Sequence, residues 1–206
     1  MHHTVTTPPA EPADRRLPAA DPEMILHLVR HGQSTWNAEG RLQGQTMDVP
    51  LTELGLAQAR DAAVRLAGTT LTAILTSDQL RARQTAELLA EPHGLIPQTT
   101  PLLREQALGE LEGRLTSELM PQPVPAGLDM AEVAWGGGES LADVYQRLQR
   151  LLVELRTRFD RHGRVMLVSH GDTLRVLLAL LEGRTHREIA WAPITNCAVI
   201  TREYHC

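Results

Sequence analysis

Lysine is absent from this 206-residue chain, so all 20 of its basic side chains are arginine. Any fixed contact with an anion must therefore come from arginine, histidine or backbone N–H groups. Cysteine is nearly absent as well, and the two present, Cys197 and Cys206, lie close to the C-terminus. This placement does not indicate a disulfide framework and favours a reducing compartment, so we expect a cytoplasmic protein.

Long apolar runs and an excess of positive charge are missing too. The sequence contains no run of eighteen apolar residues, and we expect no transmembrane helix. The formal net charge of −5 gives no indication of binding to nucleic acid or to acidic membranes, so neither partner is expected. With 42 % hydrophobic residues, the chain can form one domain with a substantial core. Its oligomeric state stays open.

Residues 1–22 differ in composition from the rest of the chain. They read MHHTVTTPPAEPADRRLPAADP and are rich in proline, alanine and charged residues. Such a segment cannot bury enough apolar area to offset the entropy of ordering, so we predict a disordered tail. The folded domain is expected to span residues 23–206.

Apolar strands alternate with amphipathic helices through this domain. Buried strands are predicted at 24–29, 71–77 and 164–170, with shorter strands near 95–99 and 198–203. Helices are predicted after an N-cap at Thr52, after a cap at Ser77 or Asp78, from Leu141 to Phe159, and from Asp172 onward. The alternation indicates an α/β fold with a mainly parallel sheet.

Three of the buried strands end in polar motifs. Arg30, His31 and Gly32 follow the first strand, SDQLR follows the second, and Ser169-His170-Gly171 closes the third. Parallel strands present their carboxyl ends at one edge of the sheet, which is where such sheets bind ligands. We therefore expect these motifs to meet in one crevice.

The side chains in these motifs suit phosphoryl transfer. A neutral imidazole at His31 can attack phosphorus without a separate base, because a histidine pKa of about 6.5 leaves much of it neutral near pH 7. The resulting phosphohistidine splits one difficult step into two. Arg30 and Arg81 can bind phosphate oxygens bidentately, and His170 adds an imidazole beside a helix N-terminus. The expected ligand is a small phosphorylated metabolite.

The leaving oxygen needs a proton, and three loop glutamates could supply it. Glu105, Glu110 and Glu112 are all candidates, and the residue pattern does not choose among them. A metal site at His27 and His31 is disfavoured, because four strand residues separate their side chains by about 13 Å. No cluster of cysteine or aspartate completes a ligand set, so neither a metal nor another cofactor is expected.

Motifs along the chain, taken in order, resemble those of the histidine phosphatase superfamily, also called phosphoglycerate mutase-like. They are LVRHGQSTWN (28–37), RLQG (41–44), PLTELG (50–55), SDQLRARQTA (77–86), LREQALGELEG (103–113), GGES (137–140) and VSHGDTLR (168–175). The resemblance implies a three-layer α/β/α sandwich without a cofactor metal. It makes His31 the nucleophile, with Arg30, Arg81 and His170 as the phosphate pocket.

The same resemblance assigns further roles. It selects Glu105 as the proton donor over the other two loop glutamates. It makes Asn37 and Gln43 contacts to the phosphate or substrate, and Gly171 belongs to the same set of phosphate contacts. All of these positions are expectations about the folded site.

Superfamily members of this kind divide into mutases and phosphatases. Mutases carry a longer insertion after the acid, with paired basic residues that hold a second anionic group. Here an irregular insertion or lid is predicted at about 115–138, and residues 115–146 contain no arginine, lysine or histidine. An apolar lid favours a less charged leaving group. We therefore expect a phosphatase of the broad-specificity or α-ribazole-phosphate type. A cofactor-dependent phosphoglycerate mutase and a phospho-ligand binding module without turnover are the alternatives.

Overall fold

A five-stranded sheet carries the predicted motifs in a computed structural model that describes residues 23–205. The strands are β1 (Glu23–Arg30), β2 (Ala73–Thr76), β3 (Gln98–Thr99), β4 (Arg164–Ser169) and β5 (Val199–His205), in the spatial order β3-β2-β4-β1-β5. The pairings of β3 with β2, β2 with β4 and β4 with β1 are parallel, whereas β5 runs antiparallel to β1. The prediction of an α/β fold with a mainly parallel sheet is confirmed. The predicted tail at 1–22, and Cys206, lie outside the described residues.

Helices cover both faces of the sheet. They are α1 (Thr35–Glu39), α2 (Glu53–Leu66), α3 (Leu80–Ala90), α4 (Leu141–Arg158) and α5 (Gly171–Leu181). Successive strand side chains point to opposite faces, so Leu26 and Leu28 pack with α4 and α5, while Val29 packs with α2 and α3. This arrangement is the expected three-layer sandwich. None of the helices within 23–205 has both the length and the apolar character needed to cross a membrane.

The sequence predicted N-cap residues for α2 and α3, and the structure agrees with the first of these predictions only. Thr52 caps α2 as predicted, because its hydroxyl accepts the Gly55 N–H at 3.0 Å. The predicted cap of α3 at Ser77 or Asp78 is wrong, since α3 begins after Gln79, whose side chain makes no capping bond. The Asp78 carboxylate instead forms an ion pair with Arg104.

Two further predicted segments, the strand near 95–99 and the irregular segment at 115–138, can be compared with the structure. The strand predicted near 95–99 is reduced to Gln98–Thr99, because Pro97 has no N–H to add to the ladder. Residues 115–138 are irregular, as predicted, and hold only short 3₁₀ turns such as Thr116–Glu118 and Met130–Glu132. Residues 120–130 are exposed throughout. That this segment acts as a lid stays a prediction.

Candidate active site

The carboxyl ends of β1, β2 and β4 lie side by side, with Arg30 in register with Ser169. His31 follows β1 directly, and His170 follows β4 as the N-cap residue of α5. Their ring centroids are 5.0 Å apart and the ring planes are tilted by 58°. Arg81, near the start of α3, is close enough for its charge to act on both rings. The structure thus brings the motifs of three strands to one place.

His31 is a buried, neutral imidazole with one free ring nitrogen. Only 2 % of the residue is exposed, and Nδ1 lies 2.7 Å from the carbonyl oxygen of Gly32. Because a carbonyl only accepts, we assign the ring proton to Nδ1, which leaves the lone pair on Nε2. Burial, followed by the charges of Arg81 and Arg30, lowers the pKa of His31 well below its usual value. The imidazole can therefore act as a nucleophile at neutral pH.

His170 is also neutral, and its ring has no protein partner among residues 23–205. It is fully buried, and burial is the main cause that lowers its pKa well below 6.5, with the charge of Arg81 next. Neither Nδ1 nor Nε2 has a hydrogen-bond partner in the part of the chain that the structure describes. Buried polar atoms are usually paired, so an unpaired ring facing His31 points to a ligand that completes the site.

Two arginines supply the positive charge of this pocket. Arg81 is fully buried, and its two Nη atoms donate to the carbonyls of Thr46 (2.8 Å) and Gly44 (2.9 Å). Arg30 donates from Nη1 to the carbonyl of Ile194 at 2.5 Å. Burial lowers the pKa of Arg81 to about 10, so it remains charged at neutral pH. The Nε of each arginine is buried without a partner among residues 23–205, which is costly unless an anion accepts from it.

The three loop glutamates, which the residue pattern left as equal candidates for the proton donor, have different surroundings in the structure. Glu110 is exposed at the surface. Glu112 connects two loops, because its carboxylate accepts from the backbone N–H groups of Gln45 (2.8 Å) and Leu108 (3.0 Å). Glu105 lies at the N-terminus of α5. The environment of Glu105 is thus unlike that of the other two.

Glu105 joins the pocket to the start of α5. Its carboxylate accepts from the backbone N–H groups of Thr173 (3.0 Å) and Asp172 (3.3 Å), where the helix dipole favours negative charge. Its charge also raises the pKa of Arg30 and of Arg81, although burial lowers both values overall. Glu105 therefore stands close to both phosphate-binding candidates.

Asp172 is a second carboxyl beside Glu105, which the sequence indicated only as the opening of a helix. Burial raises its pKa to about 6, and the negative charge of Glu105 acts in the same direction. Arg175 opposes this shift through an ion pair, with Nη1 lying 2.5 Å from the Asp172 carboxylate. Two carboxyls thus lie next to each other at one side of the pocket.

The predicted substrate contacts at Asn37 and Gln43 belong to a small network around Ser34. The Asn37 side-chain oxygen accepts the Ser34 N–H at 3.2 Å and forms a capping box for α1. The Gln43 side-chain oxygen accepts from the Ser34 hydroxyl at 2.8 Å. Gly171 is the first residue of α5, next to His170. Contact of these three residues with a substrate stays a prediction.

Arg147 supports the Glu105 loop, and no sequence-based assignment included it. Its guanidinium pairs with the Glu139 carboxylate at 2.9 Å and donates to the carbonyls of Leu102 (2.7 Å) and Glu105 (3.1 Å). The sequence did hold a signal, because this arginine occupies the apolar face of α4, directly before the fully buried Leu148. A charged residue at such a position needs a buried partner.

Asn196 and Thr85 were missed as well. Asn196 donates to the carbonyl of His31 at 2.9 Å, and Thr85 accepts the Gly32 N–H at 3.0 Å. Both are polar side chains that bind backbone atoms far away in the sequence. Contacts of this kind leave no periodic pattern.

Comparison with known proteins agrees with this geometry. Residues 26–205 match the family model of the histidine phosphatase superfamily, branch 1. The chain belongs to the histidine phosphatase superfamily. A curated relative, "Probable phosphoglycerate mutase GpmB" of Yersinia pestis (strain Pestoides F), is 35 % identical over 183 residues, which cover 87 % of this chain and 84 % of the relative.

Solved structures of this superfamily are similar to the chain. A mycobacterial glucosyl-3-phosphoglycerate phosphatase in complex with VO3 has a TM-score of 0.76 and 33 % identity, covering 86 % of this chain and 90 % of that one. A structure from Escherichia coli K-12, described provisionally as an alpha-ribazole-5'-P phosphatase, has a TM-score of 0.71 and 30 % identity, with coverage of 80 % and 82 %. Both phosphatases and mutases thus occur among the relatives.

Residues that could hold a metal ion do not cluster in the described part of the chain. Within 23–205, no group of three or more histidine, cysteine, aspartate or glutamate side chains is arranged to bind one. His27, which the sequence analysis considered together with His31, forms a hydrogen bond between Nδ1 and the Thr201 hydroxyl at 3.0 Å. Cys197 is a free, buried thiol.

Proposed function

We propose that this protein hydrolyses phosphomonoesters of small metabolites through a phosphohistidine at His31. One observation carries the proposal. Among residues 23–205, four buried nitrogen atoms on Arg30, Arg81 and His170 lack protein partners, and these side chains lie near the neutral imidazole of His31, which has a free Nε2. A phosphoryl group would accept from the two arginine Nε–H groups and from the one N–H of neutral His170, and would present its phosphorus to the nucleophile.

The proposed reaction has two displacement steps. Nε2 of His31 forms a bond to phosphorus while the bond to the leaving oxygen breaks, and that oxygen takes a proton from the Glu105 carboxyl. Water then attacks phosphorus, gives a proton to Glu105, and breaks the phosphorus–nitrogen bond. Arg30 and Arg81 offset the charge on the phosphoryl oxygens in both steps.

Two features favour water over a second substrate position as the phosphoryl acceptor. Residues 115–146 carry no basic side chain that could hold a second anionic group. Two neighbouring arginines are already engaged, since Arg104 pairs with Asp78 and Arg41 pairs with Glu39. Arg114, at the border of the segment, is exposed and is the one nearby arginine among residues 23–205 that could hold a carboxylate. The exposed side chains of the segment include apolar ones, among them Met120, Leu128 and Met130. A neutral or partly apolar leaving group suits this surface.

A phosphoglycerate mutase is the second candidate, favoured by the name of the Yersinia relative at 35 % identity. Incubation with 3-phosphoglycerate, with and without 2,3-bisphosphoglycerate, separates the two functions. We expect phosphate release to exceed isomerisation. Isomerisation much faster than hydrolysis of any tested ester would put the mutase first.

The nucleophile is tested by trapping the phosphoenzyme. During turnover of p-nitrophenyl phosphate with a chelator present, intact-mass measurement under alkaline conditions should show one acid-labile phosphate on His31. His31→Gln should abolish both the adduct and turnover, whereas His27→Gln, four residues earlier on β1, should retain them. An adduct on another residue would refute the mechanism.

The acid is tested by comparing leaving groups. Glu105→Gln should slow hydrolysis of alkyl phosphates more than that of p-nitrophenyl phosphate, because a good leaving group needs little protonation. Glu110→Gln, an exposed change in the same loop, serves as the control. An equal loss on both kinds of ester would count against Glu105.

A further inference from the structure

The peptide group that follows the nucleophile is held at both ends by side chains. Asn196 donates from Nδ2 to the His31 carbonyl at 2.9 Å, and the Gly32 N–H donates to the Thr85 hydroxyl oxygen at 3.0 Å. The Thr85 hydroxyl hydrogen is in turn committed to the carbonyl of Arg81 at 2.7 Å. Because that hydrogen has a fixed acceptor, a lone pair of the oxygen is directed toward Gly32.

We propose that Asn196 and Thr85 are positioning residues that fix the His31–Gly32 peptide and so direct Nε2 of His31. This inference rests on the proposed role of His31 as nucleophile. The Gly32 carbonyl accepts from Nδ1 of His31 at 2.7 Å, and this bond sets which ring nitrogen is free. The carbonyl stays in place only if the flexible glycine backbone does.

The surroundings of Gly32 disfavour a stiffer residue, so this part of the backbone depends on contacts from neighbouring side chains. A Cβ at this position would lie 2.5 Å from the backbone oxygen of Gly55. Glycine is the most flexible residue in the chain, so hydrogen bonds from neighbouring side chains are needed to limit its motion. Thr85 on α3 and Asn196 before β5 supply these bonds from two different elements.

The backbone next to Asn196 is consistent with this role. Cys197 has φ of +55°, and it is the one non-glycine residue with positive φ in the described range. Its N–H donates to the carbonyl of Arg30 at 3.0 Å, which anchors the bend beside the nucleophile. Left-handed backbone at a non-glycine residue is unfavourable and is often found at functional sites. Here the bend precedes β5 and allows Asn196 to reach His31.

The test compares Thr85→Val, Thr85→Ser and Asn196→Ala with the wild type. Valine keeps the size and branching of threonine but removes the acceptor, whereas serine keeps it. We expect Thr85→Val and Asn196→Ala to lower kcat for p-nitrophenyl phosphate about 10- to 100-fold, with KM little changed. Thr85→Ser should recover most of the rate. Thr72→Val is the control, because that hydroxyl accepts the Arg164 N–H at the opposite edge of the sheet.

A second readout needs no substrate. Nitrogen-15 NMR of the His31 ring in the resting protein, assigned with His31→Gln, should show a proton on Nδ1 in the wild type and a mixture of tautomers in Thr85→Val and Asn196→Ala. Asn196 is only partly buried, so its variant remains informative if Thr85→Val does not fold. Wild-type kcat and an unchanged ring signal in Asn196→Ala would overturn the proposal. If no ester is hydrolysed by the wild type, the proposed function fails, while the NMR result still decides the inference.

Discussion

Acidification should destabilise this protein through its buried histidines. The pKa values of His31 and His170 lie well below 6.5 in the folded state, mainly because both rings are buried. In the unfolded chain they return to about 6.5. Above that pH both states carry neutral rings and stability is fully present. As the pH falls below 6.5, the unfolded chain binds two protons that the folded chain does not, so the free energy of unfolding decreases.

The size of this decrease in the free energy of unfolding follows from the lowered pKa values of the buried histidines. Each histidine that stays neutral in the folded state contributes about 1.4 kcal/mol between pH 7.5 and 5.5, so His31 and His170 together contribute about 2.7 kcal/mol. Burial also lowers the pKa of His27, which acts in the same direction. Asp172 acts in the opposite direction, since its folded pKa of about 6 lies above the usual value. With about a third of its side chain exposed, solvent weakens this effect to under about 1 kcal/mol. A net loss of about 2 kcal/mol is expected, which is a large share of typical stability.

Urea unfolding at pH 7.5 and 5.5, followed by circular dichroism, measures this difference. The buffers must contain no phosphate, because an anion bound only by the folded state would stabilise it. His170→Asn should remove about half of the histidine contribution, about 1.4 kcal/mol. The exposed His162→Asn is the matched control and should leave the difference unchanged. Stability that stays constant or rises between pH 7.5 and 5.5 would refute the reasoning.

Two further predictions concern buried contacts, and urea unfolding checks both. Arg147→Met should destabilise the protein by about 2 kcal/mol, since it removes the buried guanidinium that pairs with Glu139 and donates to two backbone carbonyls, whereas the exposed Arg150→Met on the same helix should change stability by less than about 0.5 kcal/mol. Gly32→Ala should cost about 1–3 kcal/mol, because its Cβ would meet the backbone of Gly55. Gly68→Ala, where a Cβ meets nothing within 4 Å, is its control. If a variant and its control changed the free energy of unfolding equally, the stabilising role given to that contact would be wrong.

The fold and the centre of the candidate site could be predicted because local patterns determine them. Buried strands are short apolar runs, and each run here ends in a polar motif. Once the sheet is taken as parallel, geometry alone places Arg30, His31 and His170 at one edge. The site residues that follow strands directly were therefore accessible from sequence.

The rest depends on contacts between distant parts of the chain. Asn196 reaches His31 only because β5 pairs antiparallel with β1, so that the start of one strand lies beside the end of the other. The prediction that Ser77 or Asp78 caps α3 was wrong for a similar reason, since Asp78 pairs with Arg104 from another loop. Side chains that bind remote backbone or charge have no spacing rule, and a single sequence does not reveal their partners.

Glu105, the proposed acid, is connected to the helix that follows His170. In the structure, its carboxylate accepts from the backbone N–H groups of Thr173 and Asp172 at the start of α5. It also lies close enough to Arg30 and Arg81 for their charges to interact. In the proposed mechanism, the carboxyl that gives a proton to the leaving oxygen and takes one from water is therefore held by the same helix that begins beside the phosphate-binding residues. The acid and His170 keep their relative positions through both displacement steps because the start of α5 holds them both.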